Sequence, residues 1–286
     1  MVLLFADLLS SRQSWNATQQ RARTFPHNIV PGVPPKESIF IASTLWNNEA
    51  IIRDYWSRAV IDLAKYLGPD RVYVSVYESG SYDHLKDALR ALDAELESSG
   101  TPRTFVLDPT THAEEIAKPP AEEGWIDSPR GKREMRRSPY LARARNLSLR
   151  PLEEMARAGR FFDKILFLND VVFTVTSCPC TPAKFDPNFL RSLQLTLADR
   201  QTADVVNLLN TRDGDYAAAC SLDFSKPPHF YDTFALRDAE GRRAISQTFP
   251  YFESQHSRRA LLDGLPVPVQ SCWNGMGQWS IHHARK

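Results

Sequence analysis

Several things are scarce in this sequence, and each scarcity excludes something. Its 286 residues hold 4 cysteines, too few for a disulfide scaffold at this length. Cys178 and Cys180 form a C-x-C pair with no second pair to match, which argues against a zinc site. Cys220 and Cys272 lie in apolar runs and read as buried thiols, with a pair open to them in an oxidising compartment. Neither charge dominates: 35 basic residues face 34 acidic ones, so no overall field draws nucleic acid or an anionic membrane. Long apolar runs are missing. Val2 to Leu9 is short and interrupted by Asp7, which makes it no membrane span, and it has no basic leader or small-residue cleavage site. There is no internal repeat. Asn16-Ala17-Thr18 and Asn146-Leu147-Ser148 fit the glycosylation sequon, a pattern that also arises by chance.

What is present is an alternation. Residues 1–37 are polar with scattered prolines and read as a stem, with Pro31 to Pro35 as a stiff linker. Ser38 to Ala42 is a short strand, followed by polar loop to Asn48. Ile52, Trp56, Val60, Leu63 and Leu67 recur at helical spacing until Gly68-Pro69. Val72, Val74 and Val76 alternate as in a strand. Ser81 is positioned to cap a helix whose stripe is Leu85, Leu89, Leu92 and Leu96. Thr104 to Leu107 is a third strand. This β-α-β-α-β order predicts a mostly parallel sheet with helices on both faces. Thr110 to Pro139 reads as a long surface loop with some helix. Its Arg130, Lys132, Arg133, Arg136 and Arg137 form a solvated face or a rim for a phosphorylated ligand. Ser138 and Pro139 open a helix that runs to about Ala158.

The pattern centres on Phe161 to Phe173. Ile165 to Leu168 is an apolar run of strand formers that stops at Asn169-Asp170. An acid ending a buried strand is placed to meet a ligand, because open α/β sheets bind at the carboxyl ends of their strands. Asn-Asp also favours turns, and a turn alone explains the pair. Thr176 to Gln201 fits no face of the alternation. Beyond it come a helix at Ala203 to Leu209, strands at Tyr216 to Leu222, Phe230 to Arg237 and Pro266 to Trp273, and a helix at Ser254 to Leu262. Gly277 to Lys286 shows no pattern.

Other candidates follow the same logic. Asp223 ends a strand. Arg237 and Asp238 end another, where the arginine can grip a phosphate and the acid a sugar hydroxyl; a surface ion pair is the plain alternative. Asn48 and Glu49 follow the first strand, where a base or ribose docks in such folds. Glu49 serves equally as a first-turn acid complementing the helix dipole. Arg145 and Asn146 lie on a helix, and Asn there invites a polar contact. Trp273-Asn274 either stacks on a sugar and hydrogen-bonds it, or is a core tryptophan before a turn.

Six stretches in order resemble one family: F-I-A-S-T-L-W-N-N-E (40–49), Y-L-A-R-A-R-N-L-S-L-R-P-L (140–152), F-L-N-D-V-V-F (167–173), D-Y-A-A-A-C-S-L-D-F (215–224), F-Y-D-T-F-A-L-R-D-A-E-G (230–241) and S-C-W-N-G-M (271–276). The resemblance is to the fungal capsule-associated and cryptococcal mannosyltransferase proteins, glycosyltransferase family 69. It implies a GT-A-like, Rossmann-type domain over 38–276, with 176–201 as a foreign insertion, 277–286 as a tail, and an incomplete C-terminal part. It implies retaining, metal-dependent transfer of mannose from GDP-mannose to a glycan acceptor, with α-1,3 linkage. Asp170 then takes the place of a D-x-D carboxylate that holds Mn²⁺ or Mg²⁺ against the donor diphosphate. Arg237 and Asp238 take catalytic places. Asn48, Arg145, Asn146, Asp223, Trp273 and Asn274 take places around donor and acceptor. Family members are type II Golgi proteins; this chain shows no anchor span. The inserted block has the form of a retained intron, and the tail that of a lost reading frame. The alternative is a non-catalytic remnant that keeps part of a sugar-nucleotide-binding domain. A hydrolase using Asp170 and Asp223 lacks the second acid or histidine cluster it needs.

Overall fold

The computed structural model of the chain describes residues 36–120, 124–173, 204–226, 229–231, 233–273 and 275–281. They fall into two compact bodies. Of the described residues, the first holds 36–173 and 279–281, the second 204–278.

In the first body β1 (Ile39–Leu45), β2 (Val72–Ser79), β3 (Arg103–Asp108) and β6 (Lys164–Leu168) are parallel and ordered β3-β2-β1-β6. β1 runs to Leu45, three residues further than its apolar core suggests, because Thr44 and Leu45 still pair with Tyr77 and Glu78 of β2. Register fixes the faces. Phe40, Ala42 and Thr44 sit beside Tyr73, Ser75 and Tyr77 on one side of the sheet. That side meets α4 (Arg137–Arg157): the Ser75 hydroxyl donates to the Ser148 carbonyl at 2.7 Å, and Thr44 Oγ1 to the Ala144 carbonyl at 3.5 Å. The other side carries Ile39, Ile41, Val72, Val74 and Val76, all buried. It is covered by α1 (Glu49–Ile51, a π-helical turn Ile52–Trp56, then Ser57–Leu67) and by α2 (Leu85–Ser98), which pack on each other. Helices on both faces explain why β1 and β6 read as short apolar runs. Each buried Leu, Ile or Val on these faces stabilises the body by about 1.5–3 kcal/mol relative to exposure.

Two local expectations are corrected. Ser81 does not cap α2. Its amide donates to the Glu78 carboxylate, and His84 stands at the cap position while Asp83 Oδ1 accepts from the Leu85 amide at 3.1 Å. The stretch expected as a long surface loop with some helix has that helix, α3 (His112–Ala117), but also an unexpected hairpin of β4 (Trp125–Asp127) with β5 (Arg133–Met135). α3 opens with a full capping box: Thr111 accepts from the Glu114 amide, and Glu114 accepts from the Thr111 amide.

The second body holds α5 (Asp204–Leu209), the short strands β7 (Ala218–Cys220), β8 (Phe224–Lys226), β9 (His229–Phe230), β10 (Arg237–Asp238) and β11 (Val269–Ser271), and α6 (Gln255–Leu262). Its strands are shorter than the apolar runs that suggested them. The core is Phe230, Leu236, Tyr251, Phe252 and Leu261. Cys220 and Cys272 are disulfide-bonded, which is the pair the sequence left open beside two buried thiols. β12 (Met276–Ser280) forms in the segment that showed no pattern; its Met276 carbonyl accepts from the Ser221 amide at 3.0 Å. Its last residues, Trp279 and Ser280, count with the first body, where Ile281 N donates to the Asp163 carbonyl at 2.9 Å. Thr176 to Gln201 lies outside the described residues.

Candidate functional site

The carboxyl ends of β1, β2, β3 and β6 form one edge of the first body's sheet, and the loops leaving them are tied together. After β1, Asn47 adopts φ 49°, donates its amide to Ser81 Oγ at 3.0 Å and accepts from the Tyr82 amide at 2.8 Å. Glu49 donates its amide to Asp83 Oδ2 at 2.9 Å and takes Arg53 on its own carboxylate at 2.7 Å. Glu49 is therefore a first-turn acid in this structure. Asn48 precedes the helix without capping it, and its buried Oδ1 has no hydrogen-bond partner among the described residues. Glu78, fully buried at the end of β2, pairs with Lys86 Nζ at 3.0 Å.

Asp170 stands where the sequence placed it, two residues beyond the end of β6, and its side chain is exposed. The turn that carries it is pinned from beneath. The fully buried Trp56 donates its indole N–H to the Asn169 carbonyl at 3.0 Å, and the same carbonyl accepts from the Val171 amide at 2.9 Å. Arg145 and Asn146 are on α4 as expected, Arg145 half-buried and Asn146 exposed.

A polar cavity of about 90 Å³ opens beside β2 and β3, on the α4 side. Gly80, at φ +63°, draws the two exits together: a Cβ there would collide with the Thr110 carbonyl. Tyr77 donates its hydroxyl to Asp108 Oδ2 at 2.6 Å, and the Thr110 amide donates to Oδ1 at 2.8 Å. Burial works to raise the Asp108 pKa, but the hydrogen bonds from Tyr77 and Thr110, with Lys118 nearby, outweigh it and hold the carboxyl below its ordinary range. Burial, then the Asp108 charge, pushes the Tyr77 phenol well up. Ser79 and Tyr140 share a hydroxyl hydrogen bond of 2.7 Å. Arg143 pairs with Glu115 at 2.6 Å and lies over the Tyr140 ring. Sequence reasoning missed this cluster. The available signal was Asp108 itself, an acid that ends a strand as Asp170 does.

The remaining candidates belong to the second body. Asp238 is 1% exposed. Its Oδ1 accepts from the amides of Glu240 and Arg242, each at 3.0 Å, and its Oδ2 from the Ser254 amide at 2.7 Å. That carboxylate organises the loop and the start of α6. Arg237 turns back on its own loop, donating to the carbonyls of Phe234 at 2.8 Å and Leu236 at 2.7 Å. Asp223 accepts from Ser221 Oγ at 2.7 Å and from the Gly275 amide, close to the disulfide. Trp273 is half-buried, and Asn274 lies outside the described residues.

A divalent cation of the Mg²⁺ or Mn²⁺ kind takes one or two carboxylates and fills its shell with substrate phosphates and water. The exposed Asp170 fits that demand as a single ligand. Among the described residues no group of three or more His, Cys, Asp or Glu converges to cage an ion. No helix among them is long and apolar enough to cross a membrane.

These features define an α/β protein with a mostly parallel sheet, a class in which ligands bind at the carboxyl ends of the strands. The family of cryptococcal mannosyltransferase 1 matches residues 38–179 and 197–284, and the chain belongs to that family. The match passes over 180–196 and continues through β12. No curated protein matches the chain. Among solved structures it is similar to the mannosyltransferase PcManGT from Pyrobaculum calidifontis in complex with GDP-Man and Mn²⁺, at 16% identity over 60% of this chain and 39% of that one, TM-score 0.31. It is also similar to glucosyl-3-phosphoglycerate synthase from Mycobacterium tuberculosis in complex with phosphoglyceric acid, at 17% identity over 49% of this chain and 36% of that one, TM-score 0.23. The chain thus spans less than two fifths of the length of these proteins, and likeness of that degree carries no argument about activity.

Proposed function

We propose that the chain transfers mannose from GDP-mannose to a glycan acceptor, with retention and α-1,3 linkage, and that Asp170 is the metal ligand. The family match carries the mannosyl transfer. The exposure of Asp170 on a turn braced by Trp56 supports its role: a carboxylate free of the core on a fixed backbone can hold a cation in one place. When bound, the cation offsets the charge growing on the leaving diphosphate. Arg145 and Asn146 supply donor contacts from α4. Transfer from an α-linked donor to an α product needs no dedicated base of the kind inversion requires, and the leaving phosphate can take the acceptor proton. The reacting sugar then passes through an oxocarbenium-like state. The Cys220–Cys272 disulfide supports an oxidising compartment, in keeping with a Golgi location.

Calorimetry with GDP-mannose and with UDP-glucose, each with and without Mn²⁺, tests the donor. Asp170→Asn tests the site, since it keeps the shape and removes the charge. The variant should unfold at the parent's temperature and lose Mn²⁺-dependent binding of GDP-mannose. Parent-like binding of metal and donor would show that Asp170 serves only the turn.

A further inference from the structure

We infer that the cavity beside β2 and β3 reads the base of the donor nucleotide, and that Asp108 selects guanine there. The inference rests on the donor being a guanine nucleotide, as proposed above, and adds which residues recognise it. Position comes first. Tyr77, Ser79 and Asp108 lie at the carboxyl ends of adjacent parallel strands, the edge where such sheets take ligands. Size comes second. About 90 Å³ admits the edge of a planar base and leaves its faces outside.

Chemistry decides the base. An ionised carboxylate only accepts hydrogen bonds, and its two oxygens offer about four lone-pair sites. The Tyr77 hydroxyl donates to one oxygen of Asp108 and the Thr110 amide to the other, with the Thr110 side chain also against the carboxylate, which leaves lone-pair capacity for a further donor. The Watson–Crick edge of guanine carries two neighbouring donors, N1–H and the 2-amino group, which suit a carboxylate in bidentate fashion. Uracil offers a single N–H between two carbonyls. Adenine places a ring acceptor where guanine has N1–H. Guanine also presents O6, an acceptor, and the same wall holds one cation, Arg143, kept in place by Glu115 at 2.6 Å. The face of the base has rings to lie against. His112 lies tilted against Tyr140 with centroids 5.0 Å apart and ring planes at 43°, and Trp46, 46% exposed, meets His112 edge-on at 6.1 Å.

Nucleotide binding to the full chain, read by calorimetry, tests this without an acceptor. The parent should bind GDP more tightly than UDP. It should bind inosine diphosphate, which lacks the 2-amino group, about 10-fold more weakly than GDP, the value of one hydrogen bond to a charged acceptor. Asp108→Asn should weaken GDP by about 10- to 100-fold and improve xanthosine diphosphate, whose C2 carbonyl can accept from the new amide. Equal binding of GDP and inosine diphosphate by the parent overturns the assignment, and that arm needs no variant. A loss of GDP with no gain of xanthosine diphosphate overturns it too, because a merely structural Asp108 would not exchange one base for another. A parent that prefers UDP, or takes no nucleotide, overturns the donor reading itself and this inference with it.

Discussion

Asp238 and Ser254, sixteen residues apart, are joined by a 2.7 Å hydrogen bond from the Ser254 amide to the Asp238 carboxylate. Ser254 is also the N-cap of α6, its hydroxyl accepting from the Ser257 amide at 3.3 Å. One buried carboxylate thus ties the β10 turn to the start of a helix. The other oxygen closes that turn on Glu240 and Arg242. An asparagine has one accepting oxygen and cannot serve both sides. Asp238→Asn should therefore destabilise the protein by about 2–3 kcal/mol, since it leaves a buried amide unpaired. Chemical denaturation checks this. A variant that is as stable as the parent but inactive would give Asp238 a catalytic role rather than a structural one.

The Cys220–Cys272 bridge closes a separation of 52 residues inside the second body. Constraint of the unfolded chain by a loop of that length is worth about 2–5 kcal/mol. Cys220→Ser, or reduction with dithiothreitol, should lower the denaturation midpoint of this body accordingly and leave amide exchange in β1 and β2 unchanged. Equal midpoints under oxidising and reducing conditions would show that the bridge contributes nothing.

Asp108 and Glu115 are both held below the ordinary carboxylate range. At each, burial opposes the shift; Tyr77 and Thr110 prevail at Asp108, and Lys118 with Arg143 at Glu115. A depressed folded pKa gives stability that is fully present above the unfolded value, about 4, and is lost as pH falls through the lower folded values. Exchange protection of the β2 and β3 amides should therefore drop below about pH 4. Replacing Asp108 with Asn should flatten that drop. A profile steepest near pH 6 would assign it to a histidine instead.

The sequence by itself determined the parallel order of the first body and the place of Asp170. Those are local signals: period-two and 3.6-residue patterns decide strand or helix, and an acid after an apolar run marks a strand end. The capping box of α3 was also local. Thr111 and Glu114 stand three apart, and the surrounding prolines and charges hid them. Only the tertiary structure decided the rest. Tyr77 meets Asp108 across 31 residues and Ser79 meets Tyr140 across 61, contacts that exist because β2 and β3 are neighbours in the sheet and α4 packs on one face of it. The same holds for Asp238. Its place after an apolar run matched that of Asp170, yet one carboxylate is buried under backbone amides and the other is exposed. Burial depends on what folds back over a strand end, and no local pattern carries that.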